Sequence, residues 1–157
     1  MIYRTVFVAL SALGMCAPAA LAVDGPALFG GSITDTCILT AGLTGSITAN
    51  SNNTELNSKN ALGRASRVVA VATGAGFKVT TIAPSAFVTA PAGGNTGNSF
   101  SSTYSLSGVT TASDVAGATP TTLNTGGTNV DVDLDVDKTS GFFTAGAYVA
   151  QVTVRCE

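Results

Sequence analysis

Residues 130–137 alternate strictly between aliphatic and acidic side chains, and this alternation constrains the fold more than any other feature of the sequence. Successive side chains of a β-strand point to opposite faces, so a strand places the four aliphatic residues on one face and the four aspartates on the other. Further strand-like stretches lie at residues 66–73, 77–82, 99–106 and 146–156, separated by turn-forming Gly and Asn clusters. About seven or eight short strands without intervening helices predict an all-β fold, an antiparallel two-sheet sandwich.

Three finer features of the strand pattern are predicted. The tight loop at Gly74, Ala75 and Gly76 predicts a hairpin between the strands on either side of it. Short strands are expected at residues 27–29 and 32–34, and residues 117–127 are expected to form loops.

The N-terminus has the three parts of a secretory signal peptide. Arg4 precedes an apolar run at residues 5–15, and Ala20 and Ala22 form a small-x-small cleavage site. We expect cleavage after Ala22, which leaves residues 23–157 as a single domain that is secreted, surface-bound or periplasmic in a bacterium. A lipoprotein signal that uses Cys16 is the alternative; we disfavour it because the preceding residue is Met rather than a small residue. No membrane span is expected after cleavage, since a span needs about 20 apolar residues.

Two cysteines, Cys37 and Cys156, remain once residues 1–22 are removed. An even number of cysteines in an exported chain indicates a disulfide, within one chain or between two. A disulfide requires Cα atoms within about 7 Å, while adjacent strands lie about 4.8 Å apart. An intramolecular bond therefore favours a complete sandwich whose terminal strands are neighbours. It fits a sandwich with a missing strand only where the gap narrows at its end, or where Cys37 crosses between sheets.

The composition argues against catalysis and against nucleic-acid binding. The chain has no histidine, so the usual general base and the usual metal ligand are both missing. Charged residues make up only 10% of the chain and the net charge is −2, with no cluster of basic residues. A carboxylate pair of the glycosidase type remains possible in principle, but the acids look surface-bound. We expect a non-enzymatic protein without a cofactor.

The acidic strand face has two interpretations. It consists of Asp131, Asp133, Asp135 and Asp137. We favour a solvated face that discourages pairing with other sheets. The sharper interpretation is a calcium site, because Ca²⁺ takes clustered carboxylate oxygens, although an extended strand spreads its carboxylates apart.

Both ends of the chain after the signal resemble a known class of exported proteins. Residues 25–37 resemble the start of chaperone–usher pilins, with Phe29, Gly31, Ile33 and Cys37 in the pattern G-x-x-x-F-x-G-x-I-x-x-x-C. Residues 142–154 look like the closing strand of pilins and of spore-coat-U-like proteins. The resemblance implies an immunoglobulin-like sandwich that lacks one strand, completed by the N-terminal segment of a neighbouring copy.

The same resemblance assigns roles to two sets of residues. The donor segment would be residues 23–33, with these side chains pointing inward: Ala27, Phe29, Gly31 and Ile33. The inner face of the closing strand would carry Tyr148, Ala150, Val152 and Val154. The implied partners are further copies of the chain and a periplasmic chaperone.

Two functions follow from the sequence. The first is an exported structural or adhesive surface protein, a pilus subunit assembled by β-strand donation. The alternative is a self-contained secreted or periplasmic binding module with a complete sandwich. The absence of Trp weakens a carbohydrate-binding version of that module.

Overall fold

The computed structural model describes residues 26–157, which belong to two units that divide after Gly31. In the first unit, the described residues 26–31 are exposed and have no regular secondary structure. The second unit contains ten β-strands: β1 Cys37–Ala41, β2 Thr48–Ala49, β3 Glu55–Asn57, β4 Ser66–Ala72, β5 Lys78–Ile82, β6 Asn98–Gly108, β7 Ala112–Ala116, β8 Thr121–Thr122, β9 Gly126–Lys138 and β10 Thr153–Cys156. The predicted signal peptide, Cys16 and the donor residues 23–25 lie outside the described part of the chain.

The larger sheet is built around the 13-residue strand β9. On one side β9 pairs with β6 along the whole of that strand, and β6 pairs in turn with β7. On the other side the first half of β9 pairs with β4, which pairs with β1, and the second half pairs with β3, which pairs with β2. All these pairings are antiparallel. The smaller sheet has the order β10-β5-β8 and is also antiparallel.

The core lies between the two sheets and follows from the alternation in β9. The aliphatic side chains at positions 130, 132, 134 and 136 are buried, as the sequence predicts, and the aspartates lie on the outer face. One hydrophobic cluster packs Val130 and Val132 with Tyr104 of β6 and Val79 of β5. A second cluster joins Leu134 and Val136 to aromatic rings from the loops. The predicted all-β two-sheet sandwich is confirmed; the finer immunoglobulin-like arrangement stays a prediction.

The predicted hairpin across residues 74–76 is wrong. β4 belongs to the seven-stranded sheet and β5 to the three-stranded sheet. The loop, in which Gly76 has a positive φ of 93°, carries the chain from one sheet to the other. Glycines in a loop indicate a change of direction, but they do not determine which strands pair afterwards.

The predicted strands near both ends also differ from the structure. Residues 26–36 form no strand. The closing strand is limited to Thr153–Cys156, so Tyr148, Ala150 and Val152 precede it. The sequence did not predict β7 and β8, because both are short and mainly polar or small.

The predicted disulfide between Cys37 and Cys156 is confirmed, with 6.3 Å between the Cα atoms. The expectation that it joins neighbouring strands of a closed sandwich is wrong. β1 lies at the edge of the larger sheet and β10 at the edge of the smaller one, and no ladder joins them within residues 26–157. The bond can form because both side chains point into the space between the sheets, where they pack against the first hydrophobic cluster.

No helix that could span a membrane occurs within residues 26–157.

Candidate functional site: an open groove between the sheets

A groove of about 490 Å³ opens between the two sheets. One wall is the segment that follows β1, residues 44–47, and the other wall is the C-terminal segment, residues 148–154. The floor consists mainly of inner side chains of the larger sheet: Val68, Val132 and Leu134. The structure therefore brings the four predicted closing-strand residues together along one wall: Tyr148, Ala150, Val152 and Val154.

The direction of the backbone groups on the C-terminal wall follows from the pairing with β5. Glu157 and Lys78 exchange two hydrogen bonds, with N···O distances of 2.7 and 3.0 Å. In an antiparallel ladder such exchanges recur at every second residue, so Thr153 and Arg155 also direct their backbone groups toward β5. Upstream, the Val149 N–H donates to the Thr89 carbonyl on this same side, at 2.9 Å.

The even-numbered residues of this wall consequently direct their N–H and C=O groups away from β5 and into the groove. They are half-buried, whereas the odd-numbered residues between them are exposed, which is the alternation of an extended chain. Within residues 26–157 their main-chain groups have no backbone partner: Tyr148, Ala150, Val152 and Val154. A row of unpaired N–H and C=O groups along an extended segment is a template for pairing with another strand.

The opposite wall, residues 44–47, follows β1, whose outer edge is also open. Thr36 accepts from the Thr73 N–H, and the Gly42 N–H donates to Arg67, both at 2.9 Å. Even-numbered residues of β1 therefore face β4, and Leu39 and Ala41 direct their backbone groups the other way. Neither has a backbone partner on that edge among the described residues. The groove thus lies between the unpaired edge of residues 148–154 and residues 44–47, where Gly45 and Ile47 likewise have no backbone partner among the described residues.

The two ends of the groove differ. At one end, two residues beyond Val154, the Cys37–Cys156 bond joins β1 to β10. At the other end Tyr148 packs edge-to-face against Phe87 and Phe143, with ring centroids 5.0 and 5.4 Å away. The Tyr148 hydroxyl also donates to the Thr144 carbonyl at 2.9 Å. These contacts hold the start of the C-terminal wall in place.

The predicted donor residues are exposed. The structure gives Phe29 an exposed fraction of 96% and Ile33 one of 86%, and Leu28, just before Phe29, is 93% exposed. Ala27 and Gly31 are exposed as well. Large apolar side chains with this exposure are a feature of interaction sites in soluble proteins.

The chain that follows these residues is held by the domain. The Thr73 hydroxyl donates to the Thr34 carbonyl at 3.2 Å and accepts from the Thr36 N–H at 2.8 Å. The Asp35 carboxyl group lies so close to Gly74 that a Cβ atom there would overlap it. Residues 34–36 therefore extend the edge of β1 beyond Cys37.

The acidic face of β9 lies outside the groove, and its members have different surroundings. Asp131 accepts two hydrogen bonds from the Arg67 guanidinium, at 2.6 and 2.9 Å. Asp133 accepts from the Ser58 hydroxyl at 2.6 Å and lies 3.8 Å from the Lys59 ammonium. Lys59 also pairs with Asp114 of β7, and this hydrogen bond raises the pKa of Lys59.

At the far end of the acidic face, neither Asp135 nor Asp137 forms an ion pair within residues 26–157. Burial raises the pKa of Asp135, and the charges of Asp137 and Glu55 raise it further. Its Oδ1 atom is buried and has no hydrogen-bond partner within residues 26–157. The structure groups no three Asp, Glu, His or Cys side chains of this range around a common metal position.

Two parts of these sites were not predicted. Val68 and Leu134 of the groove floor were expected only to be buried. The groove above them was not predicted, because an unpaired strand edge has no sequence pattern of its own. Arg67 and Lys59 were not assigned to the acidic face, although the position of Arg67 in a predicted strand indicated a cation on one sheet face.

Comparison with known proteins adds no family to these observations. No protein-family model, curated protein or solved structure matches the chain.

Proposed function

We propose that the protein is an exported structural subunit of a bacterial surface fibre, in which the N-terminal segment of each copy fills the groove of the next. The observation that carries this proposal is the groove itself, which is apolar at its floor and lies between two segments with unpaired backbone groups, residues 148–154 and residues 44–47. An inserted strand would supply backbone partners to both edges and cover the apolar floor, which is the chemistry of β-augmentation.

The N-terminal segment has the chemistry of such a strand. Phe29 and Ile33 have the same parity along the chain, so an extended segment presents both to one face. Burying a side chain of this size contributes about 1.5–3 kcal/mol. Each backbone hydrogen bond adds about 0.5–1.5 kcal/mol. An inserted segment of seven residues that forms backbone hydrogen bonds with both edges of the groove would therefore bind strongly.

The position of residues 34–36 favours a second copy as the acceptor. They continue along Thr73 past the disulfide end of the domain. The groove extends from the disulfide in the opposite direction, between residues 44–47 and residues 148–154. A segment that entered the groove of its own copy would have to reverse direction at residues that Thr73 holds. Donation between copies requires no reversal, and head-to-tail contacts of this kind generate filaments.

A self-contained binding module is the second candidate, and the Cys37–Cys156 bond is the observation that favours it. The bond closes a loop of 119 residues in sequence separation and stabilises a single copy without any neighbour. In such a module the groove would take a strand from a different protein.

Purification of residues 23–157, with and without residues 23–33, separates the two candidates. We expect the longer chain to form heat-resistant ladders on a denaturing gel, and the truncated chain to migrate as a monomer. A synthetic peptide of residues 23–33 should raise the melting temperature of the truncated chain in a concentration-dependent way. A longer chain that remains a stable, oxidised monomer at all concentrations contradicts the fibre and favours the module.

A further inference from the structure

We infer that the Cys37–Cys156 disulfide is an end stop, which limits the strand inserted into the groove to residues 27–33 of the donating copy. This inference rests on the proposed function and goes beyond it, because it assigns the bond a part in selecting which donor residues enter the site.

The groove is too narrow at the disulfide for an inserted strand to pass. Adjacent strands lie about 4.8 Å apart, so two strands that flank a third are about 9.6 Å apart. The Cα atoms of Cys37 and Cys156 are separated by only 6.3 Å. A backbone strand cannot pass between them while the bond is intact.

The open wall has the length of a seven-residue strand. The unpaired edge runs from Tyr148 to Val154, seven residues or about 20 Å of extended chain. The donor segment is bounded at residue 34, which Thr73 holds in its own domain. Counting back seven residues from Ile33 reaches Ala27. Residues 27–33 contain four odd-numbered positions, and the wall likewise has four even-numbered residues that face the groove.

The direction of the inserted strand follows from the position of residues 34–36. Residues 34–36 lie at the disulfide end of each domain. If the donor strand ran parallel to residues 148–154, the donating domain would lie at the disulfide end of the acceptor. The acceptor's own residues 34–36 already lie there. The antiparallel direction places the donating domain at the opposite, aromatic end. Ala27 then lies beside Val154, next to the disulfide.

Pro26, the residue before Ala27, is consistent with an inserted strand that begins at Ala27. Pro26 has no N–H group and cannot donate to a ladder, so proline occurs mainly at strand ends and edges. Residues 23–26 would then leave the groove at the disulfide and contribute little to the contact.

Truncation of the donor segment tests the stop in the assembled protein. Fibres of residues 23–157, 27–157 and 29–157 are compared by their rate of dissociation in denaturant. We expect the first two to dissociate within twofold of each other and the third at least tenfold faster. A tenfold acceleration on removal of residues 23–26 alone would overturn the seven-residue limit.

Removal of the bond tests whether the disulfide causes the limit. Fibres of residues 23–157 and 27–157 are prepared again with both Cys37→Ala and Cys156→Ala. In the oxidised and in the cysteine-free protein, the longer chain also carries Pro26→Ala. With the bond absent, residues 23–26 should slow dissociation at least threefold; with the bond intact they should have no effect. Equal rates in both backgrounds would overturn the role of the disulfide.

The outcomes distinguish the two levels of the argument. If no chain of any length forms fibres, the proposed function fails. If fibres form but their stability depends on residues 23–26 with the bond intact, only the end stop fails. Should the cysteine-free chain not fold, the comparison of lengths in the oxidised protein still decides the limit.

Discussion

The Cα atoms of Cys37 and Cys156 lie 6.3 Å apart, although their strands belong to different sheets. The bond therefore joins the two layers of the sandwich at one end of an open groove. Away from the bond, residues 44–47 and residues 148–154 leave an apolar floor accessible between them. One covalent contact thus stabilises the domain and defines the shape of its candidate site.

Removing the disulfide is expected to lower the free energy of unfolding by about 4–5 kcal/mol, since the bond restricts a loop of 119 residues in the unfolded chain. The measurement is urea unfolding of monomeric protein with both cysteines replaced by alanine. Reduced wild-type protein is the control and should lose a similar amount. A loss below about 1 kcal/mol would show that the unfolded chain is already compact.

The two faces of the donor segment should respond differently to truncation. Phe29→Ala is expected to accelerate fibre dissociation at least tenfold, because Phe29 has the parity of the inward residues. Leu28→Ala, which removes a side chain of equal exposure on the other face, should change the rate less than threefold. Dissociation in denaturant measures both. Equal effects of the two substitutions would contradict strand insertion with this parity.

Tyr104 is fully buried, and its hydroxyl donates to the Thr119 carbonyl at 2.7 Å. Tyr104→Phe leaves this acceptor without its partner and should lower the free energy of unfolding by about 1–3 kcal/mol. The matched control is Tyr148→Phe, whose hydroxyl bonds an exposed carbonyl and should cost less than about 1 kcal/mol. Thermal or urea unfolding compares them, and an equal loss in both variants would be inconsistent with the buried bond.

Asp135→Asn is expected to stabilise the protein at neutral pH. Burial and the charges of Asp137 and Glu55 raise the pKa of Asp135 above its ordinary value of 3.8, so the folded state binds the proton more tightly than the unfolded state. Wild-type stability therefore falls as pH rises from 3.8 through the folded pKa. The advantage of the variant should appear over this window and vanish below it.

A second substitution on the same strand provides the control for this pH dependence. Asp133 accepts a hydrogen bond from Ser58 and lies near Lys59. Asp133→Asn should therefore destabilise the protein at neutral pH, the opposite sign. Urea unfolding from pH 3 to pH 8 measures both variants. Stabilisation by Asp135→Asn that persists unchanged at pH 3 would contradict a charge effect.

Much of the fold was predictable because the information is local. Period-two alternation in residues 130–137 determines which side chains of β9 are buried, whatever strands lie beside it. The disulfide was predictable from the number of cysteines that lie outside the predicted signal peptide. Pairing was not predictable in the same way: the loop at residues 74–76 indicates a change of direction equally well for a hairpin and for a crossing between sheets.

The sequence alone determined the all-β class, the inward face of β9, the pairing of Cys37 with Cys156, and the four wall residues that share one parity. Each of these follows from the spacing or number of residues. Only the tertiary structure revealed that β1 and β10 lie in different sheets and that both leave an edge unpaired. An unpaired edge is the absence of a neighbour, which depends on how every other strand packs. No pattern within the two edges themselves could predict it.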